Sequence, residues 1–349
     1  MRNEGLGSWP ARRARKTPRT TALIHDGTKL TYADLLGRVS RLAHALRGLG
    51  IRPGDRVAYL GPNHPSFLET LFATGMAGGV FVPLNARLAA PEISYQLRDS
   101  GASMLIYAPS HEGLVESVRD DVRERIGIGD QGERGYEALL ASAPREPLDL
   151  PVALDDPCMI MYTSGTTGRP KGATLTHGNI TWNAVNVLID HDLTAGEVAL
   201  VSAPLFHTAG LNMLTLPVLL KGGTCVLVAA FDPAATLDLI AEHRVTFMFG
   251  VPTMFQRIAA DPGWADADLS SLRILTCRRA GAAVADRDLP GAGPHVPAGL
   301  RDDRGRAGHA VPRRRARGVQ GGLGGRAALL HRRARRRPRH AGRGARRDR

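Results

Sequence analysis

Cysteine, aromatic residues and long apolar runs are what this chain has little of, and each shortage narrows the reading. Cys158, Cys225 and Cys277 are scattered, each beside apolar residues, with no spacing that suits a metal or a disulfide framework. They read as buried free thiols in a reducing compartment. No stretch is long and apolar enough to span a bilayer. No apolar run follows Met1-Arg2-Asn3-Glu4, so the start does not read as a secretory leader. A cytoplasmic location is expected, with peripheral membrane contact only if the substrate is greasy. No repeat or linker divides residues 1–277. Aromatics are 5% of the chain, yet 43% hydrophobic and 23% charged residues make its bulk globular. Its 349 residues are enough for one large or two ordinary domains.

The net charge of +13 is unevenly placed. Residues 278–349 hold 21 Arg and 5 Asp but no Lys or Glu, a net of +16. The first 277 residues hold 25 basic and 28 acidic side chains, a net of −3. The front is a near-neutral globular protein and the basicity belongs to the tail.

Along the front, strands and helices alternate. Residues 11–19 are basic and read as a solvated N-terminal arm. Thr31 can cap a helix whose apolar residues Leu35, Leu36, Val39, Leu42, Ala43, Leu46 and Leu49 recur at helical spacing, and Gly50 ends it. Residues 55–60, 79–84 and 104–107 read as strands, with helices between them. Residues 111–151 read as an irregular surface approach with one short helical piece at 136–143. This rhythm predicts parallel strands covered by helices on both faces, with ligands beyond the carboxyl ends of the strands. Later strands are expected at 198–202, 224–228, 246–250 and 272–276. Helices are expected from Thr176, at 211–220, at 233–243 and at 254–260.

The chain is organised around one loop. An apolar strand at 158–162 leads into Thr163, Ser164, Gly165, Thr166, Thr167 and Gly168, then Arg169, Pro170, Lys171 and Gly172. Glycines let a backbone turn its N–H groups toward an anion. Hydroxyls add short donors, and Lys171 adds a mobile positive charge. The pattern describes a loop that wraps a polyphosphate. It is not a Walker A loop, because Arg169 and Pro170 separate Gly168 from Lys171.

Residues 163–172 resemble the phosphate-loop signature of adenylate-forming enzymes: acyl-CoA synthetases, luciferases and peptide-synthetase adenylation domains. The resemblance runs from about Thr31 to Cys277. It implies an α/β fold: a partial large N-terminal domain of the acyl-CoA synthetase type, with mostly parallel sheets flanked by helices. It implies ATP, Mg²⁺ and coenzyme A, with Thr163, Ser164, Gly165, Thr166, Thr167, Gly168 and Lys171 around the ATP phosphates; the family's Thr-Glu pair, whose Glu binds Mg²⁺, is absent where Asp303 and Arg304 stand, so no metal-site residue is assigned. Residues 204–210 resemble the family's acyl-pocket motif, with His207 at its centre as the candidate catalytic residue. Amino-acid-activating relatives carry Asp where His207 stands. His207 therefore points to an acid without an α-amine, such as a fatty or aryl acid, with a long- or medium-chain fatty acid or a related non-amino acid expected. His177 reads as a cap or surface contact. Residues 251–253 resemble a segment bordering the acyl channel, though a plain strand-to-helix turn explains them equally well. The implied reaction is carboxylate attack on the α-phosphorus of ATP, then transfer of the acyl group to coenzyme A.

Residues 278–349 use only Ala, Asp, Gly, His, Leu, Pro, Gln, Arg and Val. Each can be encoded by a codon beginning with C or G. A GC-rich gene read with old third positions as new first positions yields that alphabet and no stop codons. A frameshift near Cys277 is inferred. Under it, residues 300–304 permit parental Tyr-Gly-Met-Thr-Glu, the family's next motif. The expected organisation is an incomplete AMP-binding domain at 1–277 and an out-of-frame, disordered Arg/Gly/Ala-rich tail at 278–349. The small C-terminal domain with the catalytic lysine would be missing and ligase activity impaired. Two alternatives follow. One is a remnant that holds nucleotide or acid without turnover; the other is incidental, sequence-blind nucleic-acid binding through the tail.

Overall fold

The computed structural model describes residues 2–129, 135–163 and 169–277. They belong to one compact unit, Met1–Gly308; the other unit, His309–Arg349, lies outside the described residues. The reading of 278–349 as a tail without a core therefore falls outside them.

The N-terminus corrects the first expectation. A 3₁₀ turn at Leu6–Ser8 runs into α1 (Trp9–Lys16), with Leu6 and Trp9 buried. The basic residues hid an amphipathic helix: Arg12, Arg15 and Lys16 face water, while Arg13 donates to the carbonyls of Leu220 and Lys221. A hairpin follows, β1 (Thr21–His25) and β2 (Thr28–Thr31), which the sequence reading passed over. Its two-residue turn puts Asp26 at φ 46° and Gly27 at φ 74°, the left-handed pair an Asp-Gly turn supplies. The cap at Thr31 is as expected. Its hydroxyl accepts from Asp34 N–H at 3.1 Å, and Asp34 accepts from Thr31 N–H at 3.0 Å, opening α2 (Tyr32–Gly48).

The next elements build the first sheet: β3 (Arg56–Leu60), α3 (Pro65–Met76), β4 (Val80–Pro83), α4 (Ala90–Ser100) and β5 (Ala102–Tyr107). The stretch read as irregular holds α5 (Glu112–Ser117) and β6 (Glu124–Gly127), besides the expected helical piece, α6 (Tyr136–Ser142). β6 is a short, charged edge strand with one core residue, Ile126, too little to give an alternating pattern. β7 (Pro157–Thr163) then pairs in parallel with β4 and antiparallel with β8 (Lys171–Thr176). The loop was expected to lead from a strand to a helix; it instead joins the two arms of a hairpin. The order is β6-β5-β3-β4-β7-β8.

Thr176 caps α7 (His177–Asp190) through a reciprocal pair with Asn179. The second sheet takes β9 (Val198–Val201), and a π-helical turn at Ala209–Thr215 leads into α8 (Leu216–Lys221). That turn replaces the start of the single apolar helix expected at 211–220. A Cβ at Gly210 would stand 2.5 Å from Pro204 O, so the chain can pass there only as glycine. Thr215 Oγ1 donates to Gly210 O at 2.7 Å. β10 (Thr224–Leu227), α9 (Pro233–His243), β11 (Phe247–Gly250), α10 (Pro252–Ala259) and β12 (Ile274–Cys277) complete the described chain. The order is β12-β11-β9-β10-β1-β2, parallel except for β1 with β2.

One buried cluster joins the facing sides of both sheets through α2, α3, α7 and α8, with Val57, Tyr59 and Met159 on one side and Ala199, Val201 and Leu227 on the other. The outer faces pack under α4 and α5, and under α9 and α10. The fold is thus layered helices and mostly parallel sheets, as the alternation predicts. Among the described residues no helix is long and apolar enough to cross a membrane.

Candidate functional site

The carboxyl ends of the parallel strands in both sheets face the same region, where such sheets bind ligands. Asn63, just past β3, ties them together. Its Nδ2 donates to Val201 O at 3.1 Å and Ala203 O at 3.0 Å, and its Oδ1 accepts from Leu205 N–H at 2.8 Å. Asn63 is 5% exposed, so these bonds are sheltered from water. Sequence reasoning missed it; a polar Asn-His pair directly after a strand was the available signal.

The segment that Asn63 pins carries the expected motif. Leu205 is buried, Phe206 half-buried and His207 exposed. The Phe206 and His207 rings lie 4.6 Å apart, tilted by 55°. Although the residue is exposed, partial desolvation of its ring against the cavity wall, then the nearby Arg87 guanidinium, hold the His207 imidazole below its ordinary range. It is therefore neutral near pH 7, able to accept or donate one hydrogen bond.

Beside it opens a cavity of about 730 Å³. Phe206, Phe231, Phe249 and Met254 give it apolar walls, and His207 and Arg257 stand among the polar ones. The Arg257 guanidinium carbon lies 5.4 Å from the Phe231 ring centre, a cation–π stack. Arg87 also lines the cavity, and among the described residues no Asp or Glu does. Such a space is the size of a small-molecule site and suits a ligand with an aromatic body and a negative end. Val251, the first residue of the 251–253 segment, lines this wall.

On the hairpin side, Thr163 and Lys171 are register partners, and Thr163 Oγ1 donates to Lys171 O at 3.5 Å. Both are exposed. They sit at the carboxyl end of β7, where the loop was expected. Ser164, Gly165, Thr166, Thr167 and Gly168 lie outside the described residues. Met161 Sδ accepts from Thr208 Oγ1 and Asn212 Nδ2, each at 3.8 Å, which brings the hairpin against the motif that carries His207.

His177 corrects an expectation. It is no surface contact: it is 1% exposed, and its Nδ1 accepts from Leu6 N–H at 3.0 Å. Burial lowers its pKa to about 4, so it is a neutral core histidine that holds the N-terminal turn. The partner lies 171 residues away, beyond the reach of local pattern. Among the described residues no group of three His, Cys, Asp or Glu could hold a metal ion.

A family model described as "AMP-binding enzyme" matches residues 10–290. A feruloyl-CoA synthase of Amycolatopsis sp. is 59% identical over 289 residues, covering 83% of this chain and 56% of the relative. An indoleacetate–CoA ligase of Aromatoleum aromaticum is 43% identical over 276 residues, covering 78% and 54%. The inhibitor-bound N-terminal domain of FACL13 from Mycobacterium tuberculosis superposes with a TM-score of 0.76 at 31% identity, covering 81% of this chain and 71% of that one. The chain spans about half the length of the curated relatives it matches. With most of its length matched by one family model and by relatives well above 30% identity, the chain belongs to the AMP-binding enzyme family.

Proposed function

We propose that this chain carries the nucleotide- and acid-binding part of an AMP-forming acid–CoA ligase whose acid is aromatic. The observation that carries this is the cavity at the strand ends: among the described residues it has phenylalanine walls, a neutral histidine, two arginines and no carboxylate. A substrate α-ammonium would find no acidic partner among the described lining residues, which argues against an amino acid. Identities of 59% to a feruloyl-CoA synthase and 43% to an indoleacetate–CoA ligase support an aryl acid over the fatty acid first expected.

In the first step a carboxylate oxygen bonds to the α-phosphorus of ATP, the bond to the β-phosphate bridging oxygen breaks, and pyrophosphate leaves. In the second the thiolate of coenzyme A bonds to the acyl carbon and AMP leaves. Thr163, Ser164, Thr166, Thr167 and Lys171 would donate to the phosphates, with Gly165 and Gly168 allowing backbone N–H groups to approach. Mg²⁺ would accompany the ATP phosphates and neutralise part of their charge. His207 would orient the carboxylate by one hydrogen bond.

The tail bears on turnover. The family match ends at residue 290, short of most of the Arg-rich stretch. The 349-residue chain is expected to bind ferulate and MgATP by calorimetry, with ferulate tighter than decanoate, and to give no acid-dependent ATP–pyrophosphate exchange. A gene with the frame restored after the Cys277 codon should gain that exchange. Decanoate binding more tightly than ferulate would return the reading to fatty acids. Exchange at full rate from the unrestored chain would refute the frame argument.

A further inference from the structure

The tip of the β7–β8 hairpin needs a support that the sheet does not give it. The β4–β7 register is held at Phe81 and Met159, and β8 is the outermost strand of the sheet. Tyr162 stands three residues beyond Met159, about 10 Å further along the strand. From there the hairpin meets α4 through side chains. Tyr162 OH donates to Asp99 Oδ2 at 2.7 Å and lies 3.2 Å from Gln96 O. On the other arm, Tyr95 OH lies 3.2 Å from Pro170 O and 3.4 Å from Asp99 Oδ1. One carboxylate on α4 thus gathers two phenols. One phenol belongs to the residue before Thr163; the other touches the residue before Lys171.

We propose that Tyr95, Asp99 and Tyr162 form a brace that holds the hairpin tip, with its register partners Thr163 and Lys171, in place against α4, so that both reach the same nucleotide. These are positioning residues, and the proposal rests on the ATP reading of the hairpin. The brace works through geometry: losing one tie leaves the hairpin folded but lets its tip swing away from α4, which costs a ligand that Thr163 and Lys171 must meet in one place. The acid cavity, walled mainly by other elements, should not register the loss.

The test is calorimetric titration of the 349-residue chain with MgATP and, separately, with ferulate, for the unmodified chain, Tyr95→Phe, Asp99→Asn and Lys171→Ala. Tyr95→Phe and Asp99→Asn should each weaken MgATP about five- to tenfold, the scale of one hydrogen bond. Their effects in combination should fall short of the product, because they share one network. Ferulate affinity and the melting temperature should stay as they were, while amide exchange at Thr163 and Lys171 quickens. If Tyr95→Phe binds MgATP normally while Lys171→Ala does not, the brace is wrong and the ATP reading stands. If the unmodified chain takes up no MgATP, or Lys171→Ala changes nothing, the ATP reading falls and the brace with it. Parallel losses of MgATP, ferulate and melting temperature would reduce the trio to ordinary structural support and overturn the proposal.

Discussion

The two arms of the candidate site are fastened by opposite means. On the acid side Asn63, 5% exposed, satisfies two carbonyls and one N–H of the segment leading to His207. On the nucleotide side Lys171, Gly172, Ala173 and Thr174 are all exposed, and the ties are phenols on an exposed Asp99. Breaking a buried hydrogen bond leaves desolvated groups unpaired, whereas water replaces an exposed one. The acid arm is therefore part of the core, and the nucleotide arm is an attachment whose stiffness can be tuned separately. An aryl ring needs a preformed slot; a triphosphate is long and charged, and a mobile cation can follow it.

The contrast breaks first at Asn63. Asn63→Ala strands Val201 O, Ala203 O and Leu205 N–H near the core, at a cost of about 4 kcal/mol. Urea unfolding at pH 7 measures it. Asn63→Asp keeps an acceptor for Leu205 but loses both donors, so it should recover only part. A cost under about 1 kcal/mol for the alanine variant would remove the claim that the acid arm is the rigid one.

Much of this arrangement was legible in the chain, and what was not has physical causes. Local signals held where a helix carries its own start: the box at Thr31 and Asp34, or Pro233–His243 opened by Asp232 accepting from Ala235 N–H. The position of His207 followed from its motif. Strands without a periodic face were missed. β8 is exposed over its first four residues, so no alternation marks it, and its glycine and threonines read as loop. Asn63 and His177 were missed because their partners lie 138 or more residues away. A side chain whose role is to join distant backbones leaves no trace in its own neighbourhood.

The root of the hairpin is as dry as the acid arm, which pH can reveal. His177 follows β8 directly, and its pKa falls from 6.5 to about 4 on folding. Between those values the unfolded chain binds a proton that the folded chain refuses, so stability must drop as pH falls through that window and level off below it. The shift corresponds to about 3 kcal/mol. His177→Asn places an amide oxygen near the site of Nδ1 and cannot titrate. Its stability should fall less than the unmodified chain's between pH 6.5 and 4, by about that amount. His64, also lowered to about 4 by burial, keeps its own share in both proteins and cancels in the difference. Parallel curves would mean that the imidazole is wet after all.

At the tip the same logic inverts. Lys171 is exposed and opens an edge strand, so Lys171→Ala should move folding stability by no more than about 0.5 kcal/mol. Its effect should appear only when the nucleotide is present, as a loss of about tenfold or more in MgATP affinity, since a charge-assisted hydrogen bond to phosphate goes with it. Arg257→Ala makes the matching substitution on the other arm: a cation stacked on Phe231 in the cavity, also exposed. If the arms are independent, Arg257→Ala weakens the acid and leaves MgATP alone, and the double variant shows the sum of the two free-energy changes. A shortfall from that sum would mean that the hairpin and the cavity sense each other without ligand chemistry between them. The contact of Met161 with Thr208 and Asn212 is then the first place to look, because there β7 touches the turn that carries His207.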